Sequence, residues 1–295
     1  MEVPFRLLDV FTEVPFAGNQ LCVIADPPPA LDERTMQTLA REIAYSETTF
    51  VTAIRPGGYD VRIFTPVSEL PWAGHPTLGT AFTLVSEGRV PASVLQTSIA
   101  GDVPVDVDLA SGTAWMRQLP ATFGEPVEDR VAIAAGAGLA VDDLVDGLPI
   151  VVGSTGIPHL LVAVRDEATL RRASRDGARC AAVCEALDAE SLYLFAIRRD
   201  GDVLARMFDR SVEIGEDPAT GSAVGPLGAY LAERGLGGMP GRMRVAQGEL
   251  VGRPSFLDVE VGREDRAFAI RVGGGVRLVG SGSFVVEEPA SSDPD

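Results

Sequence analysis

The chain has 295 residues, of which 46% are hydrophobic and 23% charged, a balance typical of a globular protein with one large core or two ordinary ones. Its net charge of −17 repels phosphate backbones, so we expect no nucleic-acid partner, and the absence of lysine excludes lysine Schiff-base and Walker A chemistry. Neither a membrane-length apolar stretch nor a signal peptide is recognisable, so we expect a cytoplasmic protein without a membrane partner.

The first part of the chain predicts mostly strands, with two helices between them. β-Branched and aromatic runs predict strands at Phe5–Val10, Leu21–Ala25, Thr49–Ile54, Val61–Phe64, Val103–Leu109 and Ala114–Arg117. Asp32 is predicted to cap a helix that ends near Ala44. A second helix, Thr77–Val85, is apolar on all sides and is therefore expected to be buried.

After the Pro- and Gly-rich stretch 119–126 a similar pattern begins again. Helices are predicted near Val131–Ala137, Glu167–Ala173 and Cys180–Leu187, and strands at Ile150–Val152, Leu160–Val164, Leu192–Ile197 and Leu204–Phe208. Another apolar helix, Ser222–Ala232, follows, with short strands beyond it. We therefore predict domains at residues 1–120 and 121–286, with the last strand returning to the first domain as an alternative, and a disordered tail at 287–295.

The fold class expected from this order is α/β (α+β). Each half offers several strands and one wholly apolar helix, and a curved sheet wrapped around that helix would bury both. The chain lacks the third glycine that a dinucleotide-binding loop requires, so a doubly wound nucleotide fold is not favoured. Two histidines and three cysteines give no recognisable metal-binding spacing, so no metal is expected.

Two short motifs each place a turn of small residues before an apolar helix. Gly74-His75-Pro76 opens the first, and Asp217 comes before Gly221-Ser222 at the second. Helix N-termini carry free N–H groups, so two of them facing one another would bind an anionic ligand. Taken singly, each motif is more simply explained by local structure: a capping turn with a packed histidine for the first, and a proline turn with a capping hydroxyl for the second.

Glu47 is the third candidate, because it lies between a helix end and an apolar strand. Partial desolvation there would raise its pKa and suit it to acid–base chemistry, whereas a solvated loop glutamate is the simpler alternative.

Together these segments resemble the phenazine-biosynthesis PhzF-like isomerase family over nearly the whole chain. The similarity is carried by six segments: Asp9-Val10-Phe11 with Pro15-Phe16-Ala17-Gly18-Asn19, Ser46–Val51, Arg62–Val67, Glu69–Pro76, Arg206-Met207-Phe208 with Glu216–Ala223 and Gly225-Pro226-Leu227, and Gln247-Gly248 with Gly252–Ser255.

The resemblance implies a fold, a reaction and a set of residues. It implies two similar diaminopimelate-epimerase-like domains, each a curved, mostly antiparallel sheet or barrel around a central helix, with the site in the cleft between them. It implies a homodimer and no cofactor. By position in its motifs, Glu47, His75 and Asp217 would be catalytic, and Ser46, Gly74, Gly221 and Ser222 would bind substrate.

Two departures from the family pattern lie between Phe208 and Glu216. Arg210 stands where the family has a proline, and Glu213 where it has a glycine. We predict that Arg210 contacts a substrate carboxylate or the dimer partner, with a surface ion pair as the alternative.

The predicted function is a cofactor-independent isomerase that shifts a proton and double bonds in an unsaturated small carboxylic acid. The substrate best specified by the resemblance is trans-2,3-dihydro-3-hydroxyanthranilate, in phenazine-type secondary metabolism, and another dienoic or pyrroline-type acid is the alternative. Two other classes remain open: a hydrolase using Ser222 with a histidine, and a small-anion-binding protein of the same fold.

Overall fold

The computed structural model describes residues 1–211, 214–264 and 267–287. The predicted tail begins at Glu287 and otherwise lies outside the described residues, as does Glu213. The strands are Glu2–Val10 (β1), Asn19–Ile24 (β2), Glu47–Arg55 (β3), Gly58–Phe64 (β4), Glu69–Leu70 (β5), Ser93–Ser98 (β6), Gly101–Asp108 (β7), Thr113–Arg117 (β8), Thr122–Phe123 (β9), Val151–Ser154 (β10), Pro158–Ala163 (β11), Ser191–Ile197 (β12), Val203–Asp209 (β13), Glu216–Asp217 (β14), Gly241–Gln247 (β15), Ser255–Glu264 (β16) and Ala267–Val285 (β17).

The described residues contain six α-helices, which connect the strands or pack inside the sheets. They are Glu33–Ile43 (α1), Gly74–Ser86 (α2), Arg130–Gly136 (α3), Glu167–Arg172 (α4), Gly177–Ala186 (α5) and Gly221–Arg234 (α6). The predicted cap of α1 is present, since the Asp32 side chain accepts a hydrogen bond from Thr35 N at 2.8 Å. None of the helices in the described residues is both long and apolar enough to cross a membrane.

Eight strands close into a barrel in the first half of the molecule. The order is β1-β2-β3-β4-β6-β7-β8-β17, and β17 returns to pair with β1. Most pairs are antiparallel, with β2–β3 and β4–β6 parallel. Helix α2 contacts seven of these strands and buries eleven of its 13 residues, so it is the helix that the barrel encloses.

The second half repeats this arrangement. Strands β9-β10-β11-β12-β13-β15-β16-β17 are neighbours in that order, and the parallel pairs β11–β12 and β13–β15 correspond to those of the first half. Helix α6 buries 12 of its 14 residues against β10, β11, β15, β16 and β17. Each half is therefore a curved sheet around one buried helix, as the sequence predicts. The division at residue 120 stays a prediction.

Candidate active site

The two central helices begin in contact with each other. A Cβ atom placed on Gly74, the first residue of α2, would lie 3.1 Å from the Cα of Gly221 and from the backbone nitrogen of Ser222. Any larger residue at position 74 would therefore push the start of α6 away. The structure brings Gly74, Gly221 and Ser222 together, as the two motifs predict.

These helix starts keep their backbone donors free. The residue before α2 is Ala73, which has no capping group, and the Thr220 hydroxyl before α6 is bonded to Asp217 instead. Within the described parts of the chain, the N–H groups of Gly74, His75, Gly221 and Ser222 have no protein acceptor. Their partial positive charges suit the pair of turns to an anionic group.

Glu47 lies beside His75 at this junction. Glu47 is the first residue of β3, and its Oε2 atom lies 3.3 Å from His75 Nε2. That oxygen is buried and has no hydrogen-bond partner in the described structure. The His75 Nε2 atom also lies 3.2 Å from the carbonyl oxygen of Gln20. A carbonyl oxygen only accepts, so Nε2 carries a proton. Burial lowers the pKa of His75 to about 3, so the contact joins a carboxyl group to a neutral imidazole.

The pKa of Glu47 is raised well above its usual value. Burial is the main cause, because it penalises the charged form, and the negative charges of Asp217 and Asp209 raise it further. These two negative charges make the proton of Glu47 harder to lose. A carboxyl group with a raised pKa is a stronger base when ionised, so Glu47 is suited to accept a proton and to give it back.

Asp217 is the second buried carboxyl group of the site. Its Oδ1 accepts from Asn19 Nδ2 at 2.8 Å and its Oδ2 from the Thr220 hydroxyl at 2.6 Å. Gln247 fixes the same turn, donating to the Asp217 carbonyl oxygen at 2.8 Å and to Thr220 Oγ1 at 2.9 Å. Burial raises the pKa of Asp217 to about 7, although both donors oppose the shift.

Asn19 joins the two halves of the site and was not predicted as a site residue. Its Oδ1 accepts from the Ser46 hydroxyl at 3.1 Å, while its Nδ2 donates to Asp217 and to the Ala219 carbonyl oxygen. Ser46 is thus connected to Asp217 through one amide. The signal in the sequence was the position of Asn19 at the end of a quoted motif.

His159 is a second residue that the sequence did not single out. Its Nε2 lies 2.9 Å from Ser222 Oγ and its Nδ1 lies 2.8 Å from Ser191 Oγ. All three side chains are buried. A single histidine at the start of an otherwise apolar strand was the available signal, because such a strand offers a polar ring no partner of its own.

Arg210 lies at the surface, not in this cluster of polar groups. Its side chain is 40% exposed and pairs with Glu190 at 3.0 Å, and its backbone N–H donates to the Glu190 carbonyl oxygen. This is the ion pair of the alternative interpretation, and a substrate contact by Arg210 stays a prediction. The charge of the preceding residue, Asp209, raises the pKa of Glu47, as does the charge of Asp217.

Metal-binding side chains are not clustered at the site. No group of three or more His, Cys, Asp or Glu side chains in the described residues has an arrangement that could hold an ion. What the residues offer instead is proton transfer: a buried carboxyl group, a neutral imidazole, a second carboxyl group that titrates near neutrality, and two helix N-termini.

Comparison with known proteins gives consistent matches over the whole chain. A family model described as phenazine biosynthesis-like protein matches residues 8–282. The trans-2,3-dihydro-3-hydroxyanthranilate isomerase of Pseudomonas aeruginosa is 34% identical over 277 residues, covering 92% of this chain and 95% of its own. An uncharacterised isomerase of Salmonella typhimurium is 32% identical over 265 residues, covering 86% of this chain and 88% of its own.

Solved structures agree with these matches. A PhzF-family phenazine biosynthesis protein of Bacillus anthracis superimposes with a TM-score of 0.86 at 27% identity, covering 97% of this chain and 100% of its own. A predicted epimerase of Pseudomonas aeruginosa gives a TM-score of 0.83 at 33% identity, covering 96% of this chain and 99% of its own. A probable proline racemase of Agrobacterium radiobacter shares the fold. Its TM-score is 0.66 at 13% identity, with 98% of this chain and 94% of its own covered. The fold class and the resemblance predicted from the motifs are confirmed.

Proposed function

We propose that this chain, which belongs to the phenazine biosynthesis-like (PhzC-PhzF) family and is an isomerase, moves a proton within an unsaturated small carboxylic acid. The observation that supports this most is the buried Glu47 Oε2, which has no hydrogen-bond partner in the described structure and lies 3.3 Å from a neutral His75. A carboxyl group left unbonded inside a protein carries a desolvation cost that is explained by a role in proton transfer.

The proposed reaction uses Glu47 as a proton shuttle. Its carboxylate removes a proton from a saturated carbon of the substrate, the electron pair shifts along the conjugated double bonds, and the same carboxyl group returns the proton to another carbon. Atoms and charge balance without a co-reactant, so we propose that no cofactor or metal takes part. The N–H groups at the starts of α2 and α6 would stabilise the substrate carboxylate and the charge that develops.

The substrate we propose is trans-2,3-dihydro-3-hydroxyanthranilate, the compound in the name of the Pseudomonas relatives. Another dienoic or pyrroline-type acid is the alternative, because the reaction needs only a carboxylate, an acidic C–H bond and conjugation. A homodimer, expected from the resemblance, is part of the same proposal, and light scattering of the purified chain would test it.

The test is the replacement Glu47→Gln, assayed in heavy water with dihydro-hydroxyanthranilate. We expect a loss of turnover of about 10²–10⁴-fold, the usual contribution of a positioned acid–base group. The fold should persist, because glutamine has the same shape. Glu42→Gln, at an exposed position of α1, is the matched control and should change neither rate nor stability. Full activity of Glu47→Gln would refute the shuttle, and an unmodified acid that binds without deuterium uptake would favour a small-anion-binding protein.

A hydrolase is the second candidate, favoured by the 2.9 Å contact between Ser222 Oγ and His159 Nε2. Two observations oppose it. Burial lowers the pKa of His159 to about 3, which makes it a weak base, and its other nitrogen faces the Ser191 hydroxyl where a triad has a carboxylate. We therefore expect a serine-directed phosphonate to leave Ser222 unlabelled, as measured by intact-protein mass spectrometry. Covalent labelling at Ser222 would revive the hydrolase.

A further inference from the structure

Three buried side chains form a continuous line of hydrogen bonds that ends at the junction of the two helices. His159 on β11 and Ser191 on β12 are paired in parallel register, and Ser222 is the second residue of α6. The distances are 2.8 Å from Ser191 Oγ to His159 Nδ1 and 2.9 Å from His159 Nε2 to Ser222 Oγ. We propose that Ser191 and His159 are positioning residues that fix the Ser222 hydroxyl as a hydrogen-bond donor to an anionic group of the ligand.

The direction of this line follows from counting donors and acceptors. If Nδ1 carried the ring proton, it would donate to Ser191 Oγ, and the Ser191 hydroxyl proton would then need another acceptor. In the described part of the chain Ser191 Oγ has no partner other than His159, and the residue is wholly buried. A buried hydroxyl without an acceptor is costly, so this tautomer is disfavoured.

The other tautomer satisfies the wholly buried Ser191 hydroxyl and leaves only the proton of Ser222, at the helix junction, without an acceptor in the line. Ser191 donates to Nδ1, and the protonated Nε2 donates to Ser222 Oγ. The Ser222 hydroxyl then has its own proton left over, and the only remaining use for it is to donate outside the line. Burial keeps the His159 ring neutral by lowering its pKa to about 3, so this arrangement does not change with pH in the neutral range.

The surroundings of Ser222 specify the chemistry of its ligand. Its backbone nitrogen would lie only 3.1 Å from a Cβ atom placed on Gly74. Ser222 is therefore close to the free N–H groups of Gly74 and His75. A hydroxyl donor next to several N–H donors selects an oxygen anion, such as a carboxylate, over a neutral or cationic group. The inference rests on the proposed function for the identity of this ligand, but not for the tautomer of His159.

Nuclear magnetic resonance tests the tautomer directly, because the chain contains only two histidines. In protein labelled with ¹⁵N-histidine, long-range proton–nitrogen correlations distinguish a protonated Nε2 from a protonated Nδ1. The His75→Gln variant assigns the His159 signals. We expect a neutral ring with the proton on Nε2 at pH 7. A proton on Nδ1, or a charged ring, would overturn the proposal whether or not the protein is an isomerase.

A double-mutant cycle tests the consequence for binding. The probe is 3-hydroxyanthranilate, the aromatic analogue of the acid named for the relatives, and its control is 2-aminophenol, which lacks only the carboxylate. By calorimetry we expect Ser222→Ala and Ser191→Ala each to weaken 3-hydroxyanthranilate binding by roughly 3- to 10-fold. The double variant should bind no worse than Ser222→Ala, because Ser191 acts only through Ser222. Binding of 2-aminophenol should not change.

The controls separate this inference from the proposed function. Ser86→Ala removes a hydroxyl that bonds only to the Thr83 carbonyl oxygen within the described structure, and it should leave the binding of both ligands unaffected. Additive losses, or equal losses for the two ligands, would reduce Ser191 to a structural role and overturn the proposal. Failure of the parent protein to bind 3-hydroxyanthranilate would overturn the anionic ligand. Selective binding without isomerisation would leave this inference standing and reject the proposed reaction.

Discussion

At the level of single residues, the pKa values of the site are governed by burial and by the neighbouring carboxylates. Glu47, Asp217 and Asp209 all have raised pKa values, and in each case burial is the largest cause. Asp209 differs from the other two, because two arginine charges oppose the rise of its pKa; like Asp217, it also accepts a hydrogen bond, from Ser211 N to Oδ1 at 2.7 Å. It acts on Glu47 through its charge, which makes it the residue with which to adjust the pH dependence.

We predict that Asp209→Asn shifts the pH profile of the reaction. Glu47 must be ionised to accept a proton, so kcat/KM rises with pH through the pKa of Glu47. Removing the negative charge at position 209 lowers that pKa, so the rising limb should move to lower pH. The pH dependence of kcat/KM measures it. Asp146→Asn, at a fully exposed position, should leave the profile unchanged, and a shift to higher pH would contradict the assignment of Glu47 as the base.

At the level of secondary structure, the close approach of α2 and α6 requires glycine. We predict that Gly74→Ala separates the two helix starts, because the new Cβ would meet the backbone of Gly221 and Ser222 at 3.1 Å and neither can rotate away. The expected cost is about 1–3 kcal/mol in the free energy of unfolding, together with a fall in kcat/KM. Urea unfolding and steady-state kinetics measure the two effects.

Gly262→Ala on β16 is the control for this change, since a Cβ there would have no atom within 4 Å. It should alter the free energy of unfolding by less than about 0.5 kcal/mol. Equal effects of the two substitutions would mean that the helix contact does not constrain position 74.

Local patterns were sufficient to predict most of the helices and strands. The cap at Asp32 and the apolar composition of α2 and α6 depend on neighbouring residues alone, and the structure has all three features. Strand β6 was missed because Gln96 interrupts its apolar pattern. That amide is buried by distant partners, accepting from the Tyr59 hydroxyl at 2.8 Å and donating to Thr77 Oγ1 at 2.7 Å.

The site likewise contains residues that local patterns predict and residues that only the folded structure brings together. Glu47, His75 and Asp217 belong to motifs that stand out along the chain, and the structure places Glu47 next to His75. His159 was missed because it meets Ser191 and Ser222 only through the pairing of β11 with β12 and the position of α6, and no local pattern encodes either. Arg210 was predicted to bind substrate or the dimer partner, yet its pairing with Glu190 depends on where β12 begins.

At the level of the whole molecule, a contact between two distant parts of the chain supports the site. Arg253, shortly before β16, forms an ion pair with Asp9 at the end of β1, and it also donates to the carbonyl oxygens of Gly18 at 2.7 Å and Ala17 at 2.8 Å. Gly18 is followed by Asn19, whose side chain donates a hydrogen bond to Asp217. The loop that delivers Asn19 is thus fixed by a side chain more than 230 residues later.

We predict that Arg253→Ala costs about 3–5 kcal/mol in the free energy of unfolding, because the buried Asp9 carboxylate loses its charged partner and keeps, within the described structure, only the hydrogen bond from Phe16 N at 2.6 Å. Burial already raises the pKa of Asp9 against the charge of Arg253, so without that charge Asp9 is protonated at still higher pH. The native state then binds the extra proton, and the stability of the variant should be lost as pH rises. Urea unfolding at pH 5 and pH 8 should therefore show the larger loss at pH 8. Arg117→Ala, which breaks an exposed pair with Glu264, is the control and should cost less than about 1 kcal/mol at both pH values. A similarly small, pH-independent loss for Arg253→Ala would show that the stability of the protein does not depend on the contact between Arg253 and Asp9.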